Sequence, residues 1–204
     1  MKNVNNKIIS LAMTGASGVQ YGFRLLECLL KDKHTVYLMI SKAAQVVIGM
    51  ETDIKLPGRA SDMQKFLIEK YNCDAKRLRV FGEDEWTAPV ASGSSLIDAM
   101  VVCPCSMGAL SAIATGASNN LIERAADVML KERKKLIIVP RESPLSDIHL
   151  ENMLKLSRMS AVIVDANPGF YNKAKTVDDL VDFVVGKILD QLGVENALQP
   201  RWGE

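Results

Sequence analysis

The sequence predicts an α/β fold in which helices cover both faces of a mostly parallel sheet. Three features carry that expectation. Short apolar runs of strand length alternate with longer stretches whose apolar residues recur at helical spacing. The short runs are continuous rather than alternating, as strands buried on both faces require. The chain has 204 residues, 48% of them hydrophobic, enough for a single domain (1–204) with a substantial core.

The elements follow in order. Residues 8–13 (IISLAM) read as a buried strand feeding the turn TGASG, and 19–30 as a helix with Tyr21, Leu25 and Leu29 at helical spacing. A second strand spans 36–40, and a short helix starts at Ser41. Residues 51–95 are less regular, with a helical stretch at 63–71, a short RLRVF run and the Gly/Ser-rich ASGSS. A strand at 97–103 precedes two helices, about 106–115 and 119–133. Residues 136–139 form a strand ended by Pro140, and 146–159 a helix with Ser146 as N-cap. A strand at 161–164 leads to the last helix, which opens at Thr176 with Asp179 three residues on, as in a capping box. Its apolar face carries Val177, Leu180, Val181, Val184, Val185, Ile188 and Leu192. There is no internal repeat, low-complexity segment or linker.

Composition narrows the function classes. The net charge is +1, so no strong field points toward nucleic acid or an anionic membrane. The densest basic cluster, KERKK at 131–135, reads as a solvated helix end. Four cysteines (Cys28, Cys73, Cys103, Cys105) form no CxxC pair and have no histidine at metal spacing. The start MKNVNNK is polar and the first apolar run is only six residues, too short for a membrane span or a signal-peptide core. A cytoplasmic, reduced protein is expected.

In such sheets ligands sit beyond the carboxyl ends of the strands, which gives weight to the loops there. TGASGVQYG has glycines at 15, 18 and 22, neither a GxGxxG nor a P-loop spacing, but its turn opens a helix and offers N–H groups to an anion. Ser41 and Lys42 stand where a dinucleotide fold wants an acid for the ribose, which favours a phosphate-bearing mononucleotide. In PCSMG, Ser106 can cap a helix or bond a ligand. Cys103 is expected in the core. Cys105 is expected to shape the turn as an inert thiol, because nothing stands by to activate it. Arg124 suits either an intrahelical ion pair with Glu123 or Asp127 or a ligand contact. Glu142, beside Arg141 after a strand, suits either an acid/base role or a cap. His34 and His149 are expected to be structural.

With these residues in view, the chain resembles the UbiX-like flavin prenyltransferases along nearly its whole length. The marks are MTGASGVQYG, SKAAQVV, ETD, ASGS, PCSMGALSAIATGASNNLIERAADVMLKERK, VPRESPLSDIHLENML, PGFY and RWGE. Singly each is weak; in this order they are highly specific. The resemblance implies a Rossmann-like (flavodoxin-like) three-layer fold that binds FMN and assembles as a dodecamer. It implies transfer of a dimethylallyl group from dimethylallyl monophosphate to N5 and C6 of reduced FMN, without a metal. The prenylated FMN would serve a UbiD-type decarboxylase, in ubiquinone biosynthesis among other pathways. Carried over by motif, Gly15, Ala16, Ser17, Ser41, Ser106, Met107, Gly108, Ala109 and Arg141 would bind FMN. Tyr171, Lys187, Arg124, Lys131, Ser92, Trp86 and Trp202 would meet the prenyl phosphate or shape its chamber near subunit boundaries. Glu142, Ser17, Glu51 and Lys131 would be catalytic, and the tail 194–204 would dock at a subunit interface. Lys187 departs from the arginine common in the family, keeping the charge but losing the bidentate fork.

Two rival readings fit less well. Flavin-dependent cysteine decarboxylases share the fold but carry a PASANT-type segment where this chain has PCSMGA, and a PxMNxxMW-type segment with no counterpart here. A non-catalytic flavin carrier would not need Lys131, Glu142 and Tyr171 together.

Overall fold

The computed structural model describes residues 6–199, so Trp202 and the end of the tail lie outside the described residues. Six strands, β1 (Ile8–Met13), β2 (Thr35–Ile40), β3 (Leu78–Phe81), β4 (Ala99–Cys105), β5 (Lys135–Pro140) and β6 (Val162–Ile163), form one sheet. Their order is β3-β2-β1-β4-β5-β6, and every neighbouring pair is parallel. This is the doubly wound Rossmann order, with its reversal between β1 and β4.

Parallel neighbours need crossovers, and here helices supply them. Helices α1 (Val19–Lys31), α2 (Lys42–Glu51), α3 (Ala60–Tyr71) and α7 (Val177–Leu192) cover one face; α4 (Met107–Thr115), α5 (Leu121–Lys131) and α6 (Asp147–Arg158) cover the other. Side-chain alternation in β1 divides the core: Ile9, Leu11 and Met13 join the first cluster and Ala12 the second.

Local chemistry explains where the boundaries depart from the expected ones. β4 starts and ends two residues later than expected, so Pro104 and Cys105 belong to the strand and not to a turn. Proline is tolerated there because the register with β5 shifts between Val102 and Cys105, where a ladder bond is already forgone. α5 begins at Leu121 because Asn120 caps it, accepting from the Glu123 N–H. The expected capping box of α7 is complete, with Thr176 and Asp179 each bonding the other's backbone N–H. Ser146 caps α6 as expected, and His149 closes that box with its Nδ1, so this histidine has a structural role. β6 is only two residues long.

The third glycine of TGASGVQYG explains how closely α1 lies on the sheet. A Cβ at Gly22 would stand 2.5 Å from the Cys103 carbonyl oxygen and 2.7 Å from the Met13 side chain. Because the first obstacle is backbone, relief requires α1 to move. Gly22→Ala is expected to destabilise by about 1–3 kcal/mol, lowering the thermal midpoint by roughly 3–10 °C, as differential scanning calorimetry would show.

Candidate functional site at the carboxyl edge of the sheet

The crevice between β1 and β4 is built around Thr14, only 4% exposed. Its N–H and hydroxyl both donate to the Pro104 carbonyl, at 3.1 and 3.0 Å, and its Oγ1 accepts from the Ser106 N–H at 2.7 Å. One hydroxyl thus serves as donor and acceptor and locks the two loops in register. The flanking loops are tied to the same frame. The Ser41 N–H donates to the Met13 carbonyl at 3.0 Å, and the Arg141 N–H to the Cys105 carbonyl at 3.3 Å. Arg141 Nε also donates to the Ser17 carbonyl at 3.3 Å. Ser17, Ser41, Ser106 and Arg141 are thus tied to one frame at this edge. A recess of about 160 Å³ lies among Thr14, Gly15, Ser41, Ser106, Ala109 and Asn120, with Glu83 and Glu123 also in its wall.

Helix N-termini attract anions, but two of the three here already hold one. The expectation that the TGASG turn offers the start of α1 to a ligand needs correction. Glu51, the last residue of α2, reaches across and accepts from the Gly18 and Val19 N–H groups at 2.9 and 3.3 Å. Burial alone would raise the Glu51 pKa. The Ser17 hydroxyl, the two amides and the Arg141 charge outweigh it and hold the carboxyl below its ordinary range. At α2, Ser41 Oγ accepts from Ala44 and Glu83 Oε2 accepts from the Lys42 N–H at 3.1 Å. At α4, Ser106 Oγ accepts from Ala109, while the Met107 and Gly108 amides find no acceptor among the described residues. A Cβ at Gly108 would meet nothing within 4 Å. Of the starts of α1, α2 and α4, that of α4 is therefore the one with a pair of amides left for a ligand.

A second group of residues lies along α5. Arg124 forms the intrahelical pair with Asp127 at 2.9 Å, and its Nε donates to the Ala91 carbonyl at 3.1 Å, beside exposed Ser92. Lys131, at the far end of α5, pairs with Glu132. It adjoins the beginning of β5, whereas Glu142 and Arg141 follow its end. The strand between them spans roughly 17–20 Å, so one chain does not bring Lys131 to Glu142. A third group forms around Phe183, whose ring meets Tyr171 edge-on at 5.8 Å and carries Lys187 Nζ at 5.8 Å from its centroid. Trp86 is half exposed in the loop after β3, and Glu142 is exposed and accepts from the Ser143 N–H.

The thiols face away from this chemistry. Cys103 and Cys105 are fully buried, and burial pushes the Cys105 thiol up to about 12 and drives Cys103 up as well. Burial thus disfavours the Cys105 thiolate, and Cys105 ends a strand rather than forming the turn. His34, 3% exposed, accepts from the Lys7 N–H through Nδ1. Sequence reasoning missed Thr14, Glu83 and Phe183. The available signals were a hydroxyl closing an apolar strand and a Phe183–Lys187 spacing of one helical turn.

The family described as Flavoprotein matches residues 1–189. The chain is 61% identical over 196 residues to the flavin prenyltransferase UbiX of Pseudomonas aeruginosa, covering 96% of this chain and 94% of that protein. A UbiX structure in complex with FMN and dimethylallyl pyrophosphate superposes with a TM-score of 0.86 at 40% identity, covering 98% of this chain and 99% of that one. A dodecameric FMN-dependent UbiX-like decarboxylase from Escherichia coli O157:H7 gives 0.85 at 41% identity, covering 97% and 100%.

Thr14→Val keeps the shape but strips the Ser106 N–H of its acceptor. A loss of about 1–3 kcal/mol is expected, measurable by chemical denaturation. For Glu51, a folded pKa below the ordinary 4.5 means a stabilising contribution that is present above 4.5 and lost as pH falls through the lower folded value. Glu51→Gln should therefore cost stability at neutral pH, by about 0.5–1 kcal/mol. Thermal midpoints of variant and parent should converge in acid; a constant gap across pH would count against the charged contact.

Proposed function

Because the chain belongs to the Flavoprotein family and, within it, to the UbiX-like flavin prenyltransferases, we propose that it moves a dimethylallyl group from dimethylallyl monophosphate to reduced FMN. The observation that carries this reading is the start of α4, where the Met107 and Gly108 amides have no acceptor among the described residues, a Cβ at Gly108 would meet nothing, and the cap Ser106 lines a recess with Ser41. Hydroxyls, free amides and one guanidinium at a Rossmann switch point fit a flavin mononucleotide. Gly15, Ala16, Ser17, Ser41, Ser106, Met107, Gly108, Ala109 and Arg141 would hold it. Reduced FMN supplies N5 and C6, the two positions at which the C5 unit closes a fourth ring.

The chain's own task is electrostatic. Breaking the allylic C–O bond leaves a delocalised cation and sends the electron pair to the phosphate. Lys187 and Tyr171, already paired through Phe183, would meet that phosphate together with Arg124 and Lys131, stabilising its growing charge without requiring a metal. Lys187 does this as a point charge rather than a fork. Trp86 and Trp202 would line the chamber, exclude water and offer aromatic faces to the cation. Glu142, beside Arg141, would move the proton released on ring closure, directly or through the freed phosphate, and Glu51 would keep Ser17 oriented.

Separation of Lys131 from Glu142 within one chain supports a site completed by neighbouring copies, which would bring Lys131, Arg124 and Ser92 to the flavin edge. Exposed Ile148, Leu150 and Leu154 on α6 support such assembly, and the dodecamer is the expected form. The tail 194–204 would dock at the same boundaries; within the described part, Val194 and Leu198 pack on their own chain. No helix among the described residues is long and apolar enough to cross a membrane, and the cytoplasm is the proposed setting. The product, prenylated FMN, would pass to a UbiD-type decarboxylase, including the one that serves ubiquinone biosynthesis.

Anaerobic incubation of the protein with reduced FMN and dimethylallyl monophosphate, without added metal, should raise the flavin mass by one C5 unit; an unchanged flavin would sink the proposal. Carbon dioxide released from an aromatic acid by the protein alone would point instead to decarboxylation. Glu142→Gln should slow prenylated-flavin formation about a hundredfold or more, and an unaltered rate would remove Glu142 from proton transfer.

A further inference from the structure

The doubly wound sheet keeps a space where a second nucleotide would lie. In dinucleotide-binding sheets of this order, the second nucleotide is received at the carboxyl end of the second strand. Here that place is a cavity of about 640 Å³ beyond β2 and β3. Ile40, Met63, Val80 and Phe81 give it apolar walls, and the volume lies in the range of small-molecule sites. A fold with room for two nucleotides needs a feature that holds it to one.

Glu83 stands between that cavity and the recess at the start of α4, and among the described residues it alone lines both. It is held at two points. Its carbonyl accepts from the Leu121 N–H at 2.8 Å, which ties it to α5. Its Oε2 accepts from the Lys42 N–H at 3.1 Å, which ties it to α2. The neighbouring carboxylates are placed differently. Glu123 lines the recess and not the cavity, and it accepts from the Asn119 N–H and Asn120 Nδ2. Asp84 and Glu85 line only the cavity, where Glu85 accepts from the Gly82 N–H. Lys42 is the one cation among the lining residues, against three carboxylates.

We propose that Glu83 is a specificity-determining residue, which keeps the site to a flavin mononucleotide by setting a carboxylate in the path of a second phosphate. The inference rests on the reading that the FMN phosphate sits at the start of α4. A single phosphate can take the Met107 and Gly108 amides and go no further. The second phosphate of a flavin dinucleotide such as FAD, reaching toward the cavity, would meet the Glu83 carboxylate. Like charges brought together suppress the wrong ligand without tightening the right one.

The test is flavin exchange at equilibrium. Full-length protein loaded with FMN is dialysed against FMN mixed with FAD or with riboflavin, and the bound flavins are separated and quantified. The parent should hold FMN almost alone. Glu83→Gln keeps an oxygen for the Lys42 N–H but removes the charge. It should raise the bound FAD-to-FMN ratio about tenfold or more, without raising the riboflavin share. Asp84→Asn, which removes a charge from the cavity and not from the passage, should leave that ratio at the parent's value. An unchanged ratio in Glu83→Gln, an equal rise in Asp84→Asn, or a parent that takes FAD as readily as FMN would overturn the role of Glu83. Riboflavin held as tightly as FMN would fail differently: it would remove the phosphate from α4, and the inference with it.

Discussion

One buried hydroxyl holds the site together. Thr14 follows β1 where the strand order reverses, and its hydroxyl ties that loop to Pro104 and Ser106 at the end of β4. Without it the partly buried Ser106 amide would lose its acceptor, and only the Thr14 N–H to Pro104 carbonyl bond would still tie the start of α4 to TGASG. Every other loop of the crevice is referred to that pair: Ser41 through Met13, Arg141 through Cys105 and Ser17. The side chains of Cys103 and Cys105 contribute only buried volume. Their neighbours, a proline carbonyl and a serine amide, carry the geometry.

The same edge shows how a fold with several helix N-termini selects one for a ligand. Glu51 fills the end of α1 and Glu83 an amide of α2. Each carboxylate takes the positive end of a dipole that would otherwise attract the ligand's phosphate elsewhere. Gly108 leaves α4 both open and unhindered. Positive charge is divided likewise: Arg141 stands at the crevice, whereas most of KERKK gathers at the opposite edge.

Much of this was legible in the sequence. Apolar runs located the strands, because burial on both faces demands continuous hydrophobicity. Capping residues located the starts of α6 and α7, because their bonds are local. Family motifs pointed to Gly15, Ser41, Ser106 and Ala109, which line the crevice recess. The β4 boundary was not legible, because Pro104 reads as a turn unless one knows that the ladder beside it is shifted. The role of Glu51 was equally hidden. Its partners lie 33 residues away, and nothing local distinguishes a capping carboxylate from a catalytic one.

The sequence by itself determined the fold class, the helix caps and the family, since these depend on periodicity, neighbouring residues and ordered motifs. Tertiary structure decided which residues act together. It joined Thr14 to Ser106, Glu51 to Gly18 and Tyr171 to Lys187 through Phe183, and it set Lys131 a strand's length from Glu142. Distances of that kind arise from strand order and helix direction, and neither is written in the spacing of residues along the chain.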